Sequence, residues 1–256
     1  MHNNLARFGG DSISNIDPLV IALVALCCLL ILVLPRRYIF VPLFVSWFFI
    51  PLGQKLVIAG LNLIMFRIVI LAAVTRAFIS KPGPNAFRWV RMDTLFVLWG
   101  ISSLVAFTLL YGQFEALVNR FGLLFNAFGV YFPMRVLLWD EDDIDRVFKV
   151  FAWCSVIIAV CMTFEQFTRH NLFSVFGGVP SITDLREGKL RSQGPFAHPI
   201  LAGSFGAMLV PLFIGLWWQK SGSKFVALLG IVAGVDDRFR PGAPAIVVSA
   251  WCPAAR

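Results

Sequence analysis

Three cations, Arg186, Lys189 and Arg191, crowd into a short stretch, and the chain then reads Ser192-Gln193-Gly194-Pro195-Phe196-Ala197-His198-Pro199. Cations grouped in this way suit a phosphate or diphosphate, because the planar fork of an arginine binds two phosphate oxygens at once. A solvated charged loop, or cations resting on lipid headgroups, are the competing readings. His198 has the residue type of a proton acceptor near neutral pH, yet its place before Pro199 at a helix entrance also suits a cap. Glu165 is the second acid–base candidate. His170, close by, reads most simply as an interfacial polar residue.

Two arginines stand inside apolar runs. Arg67, near the middle of one run, costs about 2.5–3.5 kcal/mol to place at the centre of a bilayer. It therefore needs a polar interior or a partner: an anionic lipid-linked group on one reading, carbonyls of neighbouring helices on the other. Arg135 is expected to snorkel toward Asp140 and its neighbours. The sequence holds no phosphate-cradling Gly-rich motif, no paired metal-ligand histidines and no serine nucleophile elbow. ATP-driven or metal-dependent chemistry is not expected, and no metal ligands are assigned.

The elements that must position these residues are helices in lipid. Of the 256 residues, 59% are hydrophobic and 14% charged, too little polar surface to clothe a soluble protein of this length. The apolar residues fall in long runs, and about 18 such residues cross the hydrocarbon core. Backbone groups there must bond internally, so the runs are helices. The expected fold is all-α, a polytopic bundle of about eight transmembrane helices with the last incomplete. Spans are expected at Pro18–Leu34, Tyr38–Leu52, Leu56–Val74, Thr94–Leu110, Val118–Leu138, Val147–Phe167 and Pro199–Trp218, with an eighth from Phe225. The acidic stretch Asp140–Asp143 should open the sixth helix, where carboxylates favour the dipole.

The net charge of +8 is read as basic residues at helix ends, with the lipid bilayer and not nucleic acid as the partner. Lys and Arg are more numerous in the loops after the first, third, fifth and seventh spans. That bias places the N-terminus and the Thr168–His198 loop outside, which in a bacterium is the periplasm. Residues 1–235 form the membrane region. Beyond it Asp236-Asp237-Arg238 breaks an apolar run too short to span, and residues 236–256 are rich in Pro, Ala and Arg. A reading-frame shift is the expected cause, and a short polar tail is the other reading.

The stretch Arg191 to Pro199, followed by Leu201-Ala202-Gly203, resembles the O-antigen ligase and polysaccharide polymerase family. Tyr131-Phe132-Pro133-Met134-Arg135 with the acidic Asp140–Asp145 is a second match, and Leu61-Asn62 with Arg67 a third. The resemblance covers roughly residues 20–235. It implies a polytopic inner-membrane glycosyltransferase that passes a glycan from an undecaprenyl-diphosphate carrier to an acceptor on the periplasmic side. It implies no metal or nucleotide cofactor, because the lipid diphosphate is already the leaving group. Arg191 matches the family's diphosphate-contacting Arg, with Lys189, Arg186 and Arg67 as further diphosphate candidates. His198 falls in the turn motif and not at the family's presumed catalytic His, which lies in a larger loop further along. Ile200 stands where relatives often carry Asn. The expectation is a ligase-like protein cut short and inactive alone. A transporter or permease, and a non-catalytic membrane subunit, are the alternatives.

Overall fold

Pro18 begins the first helix because Asp17 caps it, its carboxylate accepting from the Leu19 amide at 2.8 Å while proline fills the first helical position. The computed structural model describes residues 17–51, 53–58, 61–81, 88–183, 185–186 and 189–218. In chain order these form α1 (Pro18–Val33), α2 (Phe40–Phe49), β1 (Lys55–Ile58), β2 (Leu61–Ile64), α3 (Met65–Ile79), α4 (Arg91–Tyr111), α5 (Phe114–Leu137) and α6 (Glu141–Thr168). The two-residue strands β3 (Leu185–Arg186) and β4 (Lys189–Leu190) precede α7 (Pro199–Trp218). The expected helical class holds, with short antiparallel pairs only in the connections. By length and composition, α4 and α6 are long and apolar enough to cross a membrane. Much of the apolar surface of α4 is bare: Leu95, Leu98, Ile101, Val105 and Leu109 are all exposed.

Helix boundaries follow the expected runs except around residues 38–74. There α2 stops after ten residues, and the expected helix start at Leu56 is instead the β1–β2 hairpin, with Lys55 opposite Ile64 and Ile58 opposite Leu61. Local chemistry explains the difference. Pro51 and Gly53 stop the helix, and β-branched Val57 and Ile58 favour extended backbone. The hairpin closes at its base, where the Met65 amide donates to the Gln54 carbonyl at 3.3 Å. Arg67 is consequently the third residue of α3 and not the centre of a long helix, although it stands opposite Asn126, midway along α5. The expected eighth span and the tail lie outside the described residues.

Packing runs in sequence of neighbours: α4 on α5, α5 on α3, α3 on α1 and α2, α2 on α6, and α7 on α6. An aromatic cluster sets the α2–α6–α7 contacts, with Phe44 and Phe48 lying 4.4 and 5.1 Å from Phe151 and Phe48 also 5.1 Å from Phe205. Offset and edge-on rings contribute about 0.5–1.5 kcal/mol per pair beyond burial. On α5, Gly122 and Gly129 are two turns apart on one face; a Cβ there would run into Arg67 and Ile70 of α3. Small residues permit that close helix approach.

Polar contacts sort the connections to two ends. One end gathers Asp17, whose amide donates to the Gln54 side chain at 3.1 Å, and Phe176, whose carbonyl accepts from Gln54 Nε2 at 2.6 Å. At the other end Arg36 meets Asp143 at 3.0 Å, donates to the Leu137 carbonyl at 2.9 Å and lies 3.9 Å over the Trp139 ring. Arg146 holds the second Asp143 oxygen at 2.6 Å. Nearby, buried Asp93 takes both Arg135 and the Tyr131 hydroxyl, the latter at 2.6 Å, and accepts from the Val90 amide at 2.8 Å. Arg135 thus pairs with Asp93 across helices and not with Asp140; the α4–α5 contact puts Asp93 within its reach. As expected, α6 opens on acids, with Asp140 at its cap position and Glu141, Asp142 and Asp143 in its first turn.

Replacing Asp143 by Asn should leave Arg36 and Arg146 facing a neutral amide. Hydrogen bonds to charged groups contribute about 1.5–3 kcal/mol each, so the thermal unfolding midpoint of the detergent-solubilised variant should fall. An unchanged midpoint would mean that this end is held by apolar packing alone.

Candidate functional site

The C-terminal turns of α6 supply the base of the site. Glu165 is one turn from the helix end and 1% exposed, a burial that an ionisable carboxylate tolerates only when its oxygens are occupied. They are: Oε1 accepts from Thr183 Oγ1 and from the Gln193 amide, both at 3.0 Å, and Oε2 accepts from the Gly194 amide at 2.8 Å. The neighbouring Gln166 accepts from Ser192 Oγ at 2.6 Å. Two successive residues of α6 therefore seize three successive residues of the loop.

Chain reversal makes this possible. Arg169, the residue closing α6, has φ 60° and is the sole non-glycine with positive φ among the described residues. A side chain costs about 1–2 kcal/mol in that conformation, offset here by the pairing it permits. The Thr183 amide donates to the Arg169 carbonyl at 3.1 Å, and the Asn171 amide to the Ser181 carbonyl at 3.0 Å. Buried Asn171 then works in two directions: Oδ1 accepts from the Phe173 amide at 2.9 Å and caps a short 3₁₀ turn, Leu172–Phe176, while Nδ2 donates to the Gly194 carbonyl at 2.9 Å. Gly194 has φ 58°, a conformation suited to glycine, inside a turn closed by the Phe196 amide on the Gln193 carbonyl at 3.2 Å. Gln193 Nε2 adds a bond to the Phe196 carbonyl at 2.6 Å.

On this platform the candidate residues take their places. Arg191 sits one residue before the anchored Ser192–Gly194 segment and is partly exposed. Arg186 and Lys189 are cross-strand partners in the β3–β4 register, which brings their backbones to within about 5 Å. His198 is exposed, and its carbonyl accepts from the Leu201 and Ala202 amides at 3.0 and 3.4 Å, so it stands at the cap position of α7. No hydrogen bond or ion pair joins the side chain of Arg191 or His198 to another of the described residues. Arg191 precedes and His198 follows the turn held by Glu165 along the chain, and Arg186 pairs with Lys189 in the strands before it. Arg67 belongs to the α3–α5 contact instead, its Nε donating to Asn126 Oδ1 at 3.1 Å.

Sequence reading missed Gln54, Asn171, Thr183 and Gln193, all buried polar residues that build the platform. Their types are common in loops, and only long-range pairing reveals their work. The Tyr131–Arg135 pair carried a usable signal, since residues four apart share a helix face. No group of three or more His, Cys, Asp or Glu that could hold a metal occurs among the described residues. No family model, curated protein or solved structure matches the chain.

The Glu165 carboxylate should be the most sensitive point of the platform. Glu165→Gln places an amide N–H against the Gly194 donor or the Thr183–Gln193 pair. Losing one charge-assisted bond of about 1.5–3 kcal/mol should speed hydrogen exchange at the Gln193 and Gly194 amides roughly ten- to hundredfold. Exchange at wild-type rates would show that other contacts fix the loop.

Proposed function

We propose that the chain is a polytopic inner-membrane protein of the O-antigen ligase type, with the Thr168–His198 loop at the periplasmic face. The substrate is an undecaprenyl-diphosphate-linked glycan, transferred to an acceptor hydroxyl in cell-surface polysaccharide synthesis. The observation that carries this reading is Arg191, which directly precedes an anchored turn, with Arg186 and Lys189 paired with each other in the strands just before it. Support for the orientation comes from the clustering of connections. Asp17, Gln54 and the 168–198 loop share one end, as alternate crossings of a bilayer require, and the Lys/Arg-rich connections share the other.

The chemistry follows from charge. As the glycosyl–oxygen bond to the diphosphate breaks, negative charge builds on the departing phosphate, and Arg191 with Lys189 and Arg186 stabilises it. The acceptor hydroxyl attacks the anomeric carbon and loses its proton to a base. His198, exposed at the head of α7, is assigned as that base. Glu165 acts as a positioning residue, since the donors to its carboxylate among the described residues all come from the loop it holds. Arg67, held against α5, would act as an anchor for the lipid-linked group only by giving up part of that contact.

Binding tests this without requiring turnover. Detergent-solubilised protein should bind undecaprenyl diphosphate in preference to undecaprenol, and Arg191→Ala should weaken that binding roughly ten- to hundredfold, the range for one charge-assisted phosphate contact. Arg191→Lys should recover part of the loss, because it keeps the charge without the fork. Equal affinity of wild type and Arg191→Ala would remove Arg191 from the site and the reading with it.

A further inference from the structure

At the end of the molecule opposite the 168–198 loop, α3 and α4 both pack on α5 and leave a groove between them. Its volume is about 600 Å³, and it is lined by Val74, Ala77, Leu104, Phe121, Phe128 and Val136 among others, with Ser80 as the polar exception. This lies inside the range of about 300–1,000 Å³ usual for small-molecule sites. From Phe121 to Val136 the groove follows α5 for about 22 Å at 1.5 Å per residue. That is a channel for a hydrocarbon chain.

In the stretch joining α3 to α4, Lys81 follows the lining residue Ser80, and Arg88 is held by Arg135, the neighbour of the lining residue Val136. From Arg76 to Arg91 that stretch carries Arg76, Lys81, Arg88 and Arg91 and no acidic residue. Lys81, Arg88 and Arg91 are exposed. The carboxylate at the head of α4, Asp93, is already taken by Arg135, which also holds the Arg88 carbonyl at 2.8 Å and so fixes Arg88 beside the end of α5. Arg88 and Arg91 further flank the N-terminus of α4, where the helix dipole adds positive potential. Cations here outnumber the acids available to them. Trp89, exposed beside them with Nε1 on Thr94 Oγ1 at 2.7 Å, has the residue type of the headgroup level.

We propose that this groove is a site for an anionic glycerophospholipid of the inner leaflet. One acyl chain lies along α5, and the phosphate headgroup is held by Lys81, Arg88 and Arg91 at the mouth. The proposal rests on the membrane placement above, but not on the transfer reaction or on Arg191.

Native mass spectrometry of the full chain in detergent, with equal dioleoyl-phosphatidylglycerol and dioleoyl-phosphatidylcholine, tests it. Phosphatidylglycerol should be retained roughly ten- to hundredfold more than phosphatidylcholine, and the preference should collapse in K81Q/R88Q/R91Q. Ala77→Trp and, separately, Leu104→Trp should reduce retention of both lipids while helicity by circular dichroism is kept. Equal retention of the two lipids, an unchanged preference in the triple variant, or undiminished retention in folded tryptophan variants would overturn the proposal. Soluble glycerol phosphate retained as well as the lipid would overturn the chain-binding part. In the triple variant undecaprenyl diphosphate should still bind as in wild type, so that a failure here is separable from a failure at Arg191.

Discussion

A single carboxylate buried at the end of α6 sets the conformation of the segment that follows it. Glu165 cannot lie 1% exposed without donors, and the donors it finds are two consecutive loop amides and a threonine hydroxyl. The loop cannot leave without stranding a charge in an apolar setting, a far larger penalty than any one hydrogen bond gains. Everything downstream inherits that constraint: the turn at Gly194, the second tether through Asn171, and the cap of α7 at His198. Arg191 directly precedes the residues so held, Ser192 to Gly194.

The same logic operates at the opposite end with the signs exchanged. Arg36 and Arg135 come from different helices, and each is drawn to a carboxylate on another helix, Asp143 and Asp93. Arg36 also caps the carbonyl of Leu137 as α5 ends, where an unsatisfied helix terminus carries partial negative charge. Between these two polar layers the contacts are aromatic and aliphatic, set by Phe44, Phe48 and Phe151 and by the glycines of α5. Charge therefore fixes which ends meet, and packing fixes how closely the helices approach.

Long apolar runs were legible in the sequence because their period is carried by many residues at once. The run ending at Trp218 begins at Pro199 in both readings, since proline marks the first turn unambiguously. The run from Leu56 misled because, Asn62 and Arg67 apart, its residues are apolar and compatible with lipid. The strand pairing of Val57 with Asn62 is one that composition does not announce. Cations at 186–191 were recognisable by type, and Arg191 directly precedes the anchored turn. The roles of Glu165 and Arg135 were not legible, since both depend on partners 28 and 42 residues away. Hydropathy places residues in depth; it does not say which helices are neighbours.

The tight connection between α4 and α5 has a consequence for how the chain enters a bilayer. Gly112, at φ 60° with open space about it, lets α5 begin with only two residues between it and the end of α4. By itself α5 is a poor candidate for insertion, for it carries Glu115, Asn119, Arg120 and Asn126 along its first half. Paired with α4 it is masked: Arg120 lies 4.6 Å from the Phe107 ring and reaches toward the Ser103 carbonyl at 3.5 Å. On the membrane placement proposed above, the two helices would then partition into lipid together, as a preformed hairpin emerging from the ribosome. The apolar member would carry across a partner that the insertion machinery would reject if it were presented alone.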